Sequence, residues 1–308
     1  MGESQVVVGL SVPDGARPAV VHTYRELLPL LRTGPRAVVM TMGALHQGHL
    51  DLVAKARELM APVGGQVVVT VFVNPLQFGP AEDYEAYPRT LPDDVAALTG
   101  LGVDLVYAPS VVDMYPAGPP LVRVSPGPLG AVFEGAIRPG HFEGVLTVVL
   151  KLLQRTTPTV ALFGQKDAQQ VAVVHQMVSD LDVGARLVVV PIRREPDGLA
   201  LSSRNRYLDP AQRQVALALP RAIAAGEAVA AAGGTVMAVR AAAWAEVADR
   251  PGLSVDYLEV VDRAEFTPVL DAWTGPALLI GAIRVGSTRL IDNAPIVIQA
   301  TSGGGPGA

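Results

Sequence analysis

Residues 66–73 read Gln-Val-Val-Val-Thr-Val-Phe-Val, a β-branched run with almost no polar alternation. A strand that is apolar on both sides must be covered on both faces, which is the position of a central strand in a parallel sheet. Residues 37–42 form an earlier apolar run, and 103–107, 160–163 and 186–190 repeat the reading. Helical patterns fall between them. Thr23-Tyr24-Arg25-Glu26 has capping-box spacing ahead of Leu27, Leu28, Leu30 and Leu31. Leu52, Val53, Ala56, Leu59 and Met60 recur at helical spacing over 49–61, and Pro92-Asp93-Asp94 puts a proline and two acids in a first turn. Apolar helices are expected at 145–154 and 169–181. This alternation predicts an α/β fold with a parallel sheet covered on both faces.

The pattern changes after Pro191. Residues 210–249 are alanine-rich and helical, with breaks expected at Pro220 and Gly233-Gly234, and 255–261, 277–284 and 288–291 are strand-like. A small antiparallel sheet beside helices follows from that order. The domain boundary is set near 191, with 194–205 as a bridging loop. A long polar, glycine-containing loop spans 74–90. Residues 118–128 are broken by prolines except for a short strand at 121–124, and the glycine-rich 301–308 are expected to be disordered.

Several classes of function are excluded on composition. With no cysteine, thiolate metal sites and thiol nucleophiles are ruled out. A formal net charge of −5 argues against a nucleic-acid partner. The first residues lack the basic and apolar regions of a signal peptide, and no apolar run is long enough to span a bilayer. The expectation is a soluble, cytoplasmic protein with no membrane partner.

Chemistry concentrates at the carboxyl ends of the predicted strands. After the first strand come Met42-Gly43-Ala44-Leu45-His46-Gln47-Gly48-His49. A strand that turns through glycine into a helix offers unpaired backbone N–H groups to an anion, and two imidazoles there suit phosphate oxygens. The alternative is a metal held by the His46/His49 pair. Gly48 between them and the lack of a third histidine in register favour phosphate. Gly164-Gln165-Lys166-Asp167 follows another strand, where a lysine could meet a phosphate or simply sit in a β–α turn. Leu201-Ser202-Ser203-Arg204, preceded by Arg193, could clamp phosphate with hydroxyls and a guanidinium fork, or be a polar turn. Asn74, Gln77 and Gln170 are neutral amides suited to a polyhydroxylated substrate. Asp93 and Asp94 are either helix-opening acids or ligands to a divalent metal.

Taken together these stretches resemble the pantoate–β-alanine ligase family. The resemblance is carried by Thr41 through His49, by Phe72-Val73-Asn74-Pro75-Leu76-Gln77-Phe78, Tyr87-Pro88-Arg89-Thr90 and Arg138-Pro139-Gly140-His141-Phe142, by 144–153, by Lys166-Asp167 with Gln169-Gln170, and by 197–205. It implies a Rossmann-like doubly wound parallel sheet over 1–191 that binds ATP and pantoate, a smaller C-terminal α+β lid over 192–298, a tail from 299 to 308, and usually a homodimer. It also implies ATP with Mg²⁺, and pantoate and β-alanine as the other substrates. By resemblance His46 and His49 contact phosphates, with His49 the proton donor toward departing pyrophosphate. Lys166, Ser202, Ser203 and Arg204 neutralise the same region. The Met42 and Gly164 backbones with Asp167 hold the nucleoside, and Gln77 and Gln170, with Asn74 close by, grip pantoate. Met40, Gln165 and Ala168 depart from the family's usual Pro, Glu and aromatic residue. An adenylate-forming enzyme for another small carboxylate, or a non-catalytic nucleotide-binding relative, is the competing reading.

Overall fold

Residues 16–80, 82 and 84–300 are described by the computed structural model; the expected disorder of 301–308 lies outside them. The strands are β1 (Ala19–Val21), β2 (Arg36–Thr41), β3 (Gln66–Val71), β4 (Leu105–Tyr107), β5 (Val160–Gly164), β6 (Arg186–Val190), β7 (Leu253–Asp262), β8 (Gly275–Val285) and β9 (Thr288–Ile298). Two compact units emerge. One comprises residues 1–125, 140–163 and 177–190; the other comprises 126–139, 164–176 and 191–308.

The first unit is built on a six-stranded parallel sheet of order β1-β4-β3-β2-β5-β6. The unbroken apolar reading of 66–73 has its cause here: Val67, Val68 and Val69 of β3 are fully buried between β2 and β4. Helix Gln47–Met60 buries Leu52, Val53, Ala56 and Met60 against Ala37 and Val39 of β2 and Val67 and Val69 of β3. The capping box at the start of Tyr24–Leu27 is present as the spacing requires, with Thr23 accepting from the Glu26 N–H. Strand order reverses between β2 and β5: the chain leaves β2 toward β3 and β4, then crosses to β5 and β6 on the other side. Ligands of open α/β sheets bind beyond the carboxyl ends of the strands at such a reversal. Here those ends lead into Met42-Gly43 and Gly164-Gln165.

The second unit has a three-stranded antiparallel sheet, β7-β8-β9, packed against helices Ala218–Ala231 and Val236–Val247. Its core is formed by Leu219, Ile223, Val239, Leu279 and Ile283, among others.

Three expectations need correction. Residues 121–124 form no strand; Leu121 and Val122 project into solvent, and nothing pairs with their backbone in a sheet. The break expected at Pro220 falls three residues earlier, at Leu217, between helices Pro210–Ala216 and Ala218–Ala231; the proline lies in the first turn of the second helix, where its missing N–H costs no intrahelical bond. Strand β9 runs on to Ile298 through Asp292 and Asn293, polar residues that had made it look shorter. No helix among the described residues is long and apolar enough to cross a membrane.

Candidate active site

The turn after β2 is fixed by charge and by backbone shape. Thr41 Oγ1 donates to the Thr70 carbonyl at 2.8 Å and accepts the Gly43 N–H at 3.1 Å. Gly43 has φ +81, and a Cβ there would stand 3.0 Å from Asp94 Oδ2 and 3.1 Å from Val71 Cγ1, so glycine is required on two counts. Ala44 follows with φ +50. The Asp94 carboxylate accepts the N–H groups of Ala44 at 3.2 Å and Leu45 at 2.8 Å, and the Thr90 hydroxyl at 3.3 Å. Asp94 is 2 % exposed. It is a strut under the turn, from the first turn of Leu91–Leu98. Among the described residues, no group of three histidines or acids, Asp93 and Asp94 included, is placed to hold a metal ion.

The turn delivers His46 to the N-cap of Gln47–Met60 and places Gln47 and Gly48 in its first turn. His46 and His49 stack with ring centroids 4.0 Å apart. The His46 N–H donates to His49 Nδ1 at 3.2 Å. A backbone N–H can only donate, so in this geometry Nδ1 carries a lone pair and the neutral ring's proton sits on Nε2.

Asn74, read as a substrate contact, turns out to be a hub. It is 1 % exposed. Its Nδ2 donates to the Gly144 carbonyl and to Gln77 Oε1, both at 3.1 Å, while Oδ1 accepts from the Tyr115 hydroxyl at 2.9 Å and the Leu76 N–H at 3.3 Å. Every polar valence of that amide is occupied, and its orientation is set by a carbonyl that only accepts and an N–H that only donates. The consequence falls on Gln77: with Oε1 held, its Nε2 is the group left to donate, and it lies 3.3 Å from Met42 Sδ. Gly144 permits this contact because a Cβ there would sit 2.2 Å from the Leu76 carbonyl oxygen. His141 secures the same loop through Nδ1 and the Gln77 carbonyl, 2.8 Å apart.

Strand β5 runs out at Gly164, the first residue of a stretch of the second unit, into a 3₁₀ turn, Gln165–Asp167, and helix Ala168–Asp180. Burial holds the Lys166 ammonium below the usual lysine range; Asp167 and Asp292 act in the opposite sense and Arg204 with the burial. Arg193 opens a hairpin-like arm: the Leu201 N–H donates to the Arg193 carbonyl at 2.9 Å, and Arg194 bridges to Ala200. Ser202 caps the turn Ser203–Tyr207 by accepting the Arg204 N–H at 3.2 Å. Asn205 ties the turn back to Glu195 and to the Ala200 carbonyl.

The segment 126–139 groups with this unit because Gln169 holds it. Gln169 Nε2 donates to the carbonyls of Leu129 (2.8 Å) and Val132 (2.9 Å), and its Oε1 accepts the Glu134 N–H at 3.0 Å. Glu134 then takes both ends of the Arg289 fork, at 2.6 and 2.7 Å, and the Tyr257 hydroxyl at 2.6 Å. Gln170, the next residue, is half-buried. Ala168 is buried in an apolar cluster with Val261, Phe266, Leu278 and Ile280.

Nothing in the sequence marked the Glu134–Arg289 pair, whose members are 155 residues apart. Asp292 and Asn293 were also missed, although two consecutive polar residues inside a β-branched run, Ile291-Asp292-Asn293-Ala294-Pro295-Ile296, were a usable signal.

Known proteins resemble this chain over most of its length. The family model for pantoate-beta-alanine ligase matches residues 19–295. The chain belongs to that family. It is 54% identical over 289 residues to pantothenate synthetase of Acidothermus cellulolyticus, covering 92% of this chain and 93% of that one. Among solved structures, pantothenate synthetase from Thermus thermophilus superposes with a TM-score of 0.84 at 47% identity, covering 90% of this chain and 98% of the other. The ligase from Francisella tularensis, complexed with beta-gamma ATP and β-alanine, matches with a TM-score of 0.72 at 32% identity, covering 90% and 97%. The His46/His49 turn, the Asn74–Gln77 loop, the Lys166 turn and the Ser202–Arg204 arm all fall inside the matched range.

Proposed function

We propose that the chain condenses pantoate with β-alanine at the expense of ATP, in two steps, through a pantoyl-adenylate. In the first, a pantoate carboxylate oxygen attacks the α-phosphorus, the bond to the bridging oxygen breaks, and pyrophosphate leaves. In the second, the β-alanine amine attacks the acyl carbon and loses a proton, and AMP leaves with the bonding pair. The observation that carries this reading is the His46/His49 turn at the carboxyl end of β2, in a chain matched by one ligase family from residue 19 to 295.

Charge accumulates on phosphoryl oxygens in the first step, so catalysis is mainly positioning and electrostatic stabilisation. His49, its Nδ1 occupied, presents Nε2–H as a donor to phosphate and toward the departing pyrophosphate; His46 contacts the same oxygens. Lys166 and Arg204 neutralise the charge, with the Ser202 and Ser203 hydroxyls and Arg193 beside them. The backbones of Met42, Gly43, Ala44, Leu45, Gly164 and Leu201, with Gln165 and Asp167, hold the nucleotide. Gln77 donates through Nε2 to pantoate, Gln170 supplies a second amide, and Asn74 serves by aiming Gln77. The α+β unit acts as a lid that keeps water from the mixed anhydride. Mg²⁺ enters with ATP as part of the substrate. The working form is a cytoplasmic homodimer.

Pantoate-dependent exchange of labelled pyrophosphate into ATP tests the first step by itself. Exchange that ignores pantoate but responds to another small acid would reassign the substrate.

A further inference from the structure

Two side chains on β9 reach both cationic elements of the second unit. Asn293 is 3 % exposed. Its Nδ2 donates to two consecutive carbonyls, those of Gln165 (3.0 Å) and Lys166 (2.9 Å), and its Oδ1 accepts from Gln165 Nε2 at 2.8 Å. A carbonyl can only accept, so the orientation of this amide is unambiguous. One side chain therefore fixes both peptide planes from which the lysine projects. Asp292, the preceding residue, has a side chain 1 % exposed and grips both ends of the Arg194 fork, at 2.6 and 3.0 Å. Arg194 also donates to the Gly198 carbonyl at 3.1 Å, which ties down the arm that continues to Ser202 and Arg204. Consecutive strand residues project to opposite sides, which lets one dipeptide serve two elements. Burying a carboxylate and an amide in a small sheet is costly unless their polar atoms are paired; apart from the Asn293 N–H that Asp292 Oδ1 accepts, the side-chain bonds seen here go to the Lys166 turn and to Arg194.

We propose that Asp292-Asn293 is the positioning element for the phosphate-binding cations: Asn293 sets the Lys166 turn, and Asp292 anchors the arm that carries Arg204. Neither residue touches substrate. The proposal rests on the reading of Lys166 and Arg204 as phosphate contacts. It also gives Gln165 a partner in this chain, since a glutamate there would be an acceptor facing Asn293 Oδ1.

The test compares Asn293→Asp, Asn293→Ala and Lys166→Ala in pantoate-dependent ATP–pyrophosphate exchange, in full AMP-release kinetics, and in thermal melts. Asn293→Asp keeps size and the acceptor for Gln165 but can donate to neither carbonyl. Both Asn293 variants should lose about 10- to 100-fold in kcat/KM for ATP while the KM values for pantoate and β-alanine stay within about 2-fold. Wild-type kinetics in both variants, with Lys166→Ala inactive, overturns the positioning proposal alone. Equal losses for all three substrates with a lowered Tm reduces Asn293 to a structural residue and overturns it too. Full activity in Lys166→Ala overturns the reading of the lysine, and the proposal with it.

Discussion

The backbone N–H of His46 donates to the Nδ1 of His49 at 3.2 Å, and that one hydrogen bond selects the tautomer of the neutral His49 ring. Long-range ¹⁵N–¹H correlation spectra of the free protein should show a pyridine-like Nδ1 and a protonated Nε2 at His49. The reverse pattern would contradict the geometry. Replacing His49 by alanine removes the donor and should slow AMP release by about 100- to 1000-fold, as loss of a preorganised donor to a developing anion does.

Asp94 carries the turn, so its removal should be felt in stability as well as rate. Asp94→Ala leaves the Ala44 and Leu45 N–H groups without their acceptor. A cost of about 3 kcal/mol is expected, which for a chain of this size lowers Tm by roughly 5–10 °C in calorimetry. An unchanged Tm with a raised Mg²⁺ requirement would restore the metal role for this acid.

Asn74 acts through Gln77. Asn74→Ala frees Gln77 Oε1 and lets the amide rotate, so the KM for pantoate should rise about 5- to 30-fold, equivalent to 1–2 kcal/mol, with the KM for ATP little changed. Tyr115→Phe, which removes only one of four bonds to Asn74, should shift the pantoate KM less. A larger effect on ATP than on pantoate would move Gln77 out of the acceptor site.

Lys166 sits in surroundings that disfavour its charged form. Burial depresses its pKa in the folded state below the unfolded lysine value, so between those two values the unfolded chain binds more protons and stability rises with pH. The full penalty is present only below the folded value, and it is gone above the unfolded one. Lys166→Met should therefore raise Tm at neutral pH, with the gain shrinking as pH rises toward the lysine range, while the rate falls by at least about 100-fold. A variant less stable than the parent at pH 7 would show that the lysine is not under this strain.

The parallel sheet was legible because its strands are buried on both faces and leave unbroken apolar runs such as Val67-Val68-Val69. Local rules also worked where partners are three residues apart, as with Thr23 and Glu26. Reading failed where the deciding contact is distant. Residues 121–124 have strand-forming side chains, but no neighbouring strand pairs with them. The three residues of β1 are too few to show a period, and its register is set by Leu105, Val106 and Tyr107 far along the chain. Within the candidate site, the position of the histidine turn and of the lysine, each after a strand and ahead of a helix, was legible from local context. The supports were not. Nothing in a sequence reveals that Tyr115 and Gly144 close around Asn74, and Asp94, a first-turn acid as its position suggested, has a second task that was hidden because its N–H partners lie about fifty residues upstream.

The most direct test of the central claim is AMP formation by the purified protein with ATP, Mg²⁺, pantoate and β-alanine, each omitted in turn, beside His49→Ala. One AMP per pantothenate is expected, no AMP without pantoate, and pyrophosphate exchange that survives omission of β-alanine. No AMP with the complete set, or AMP formation indifferent to pantoate, would contradict the account.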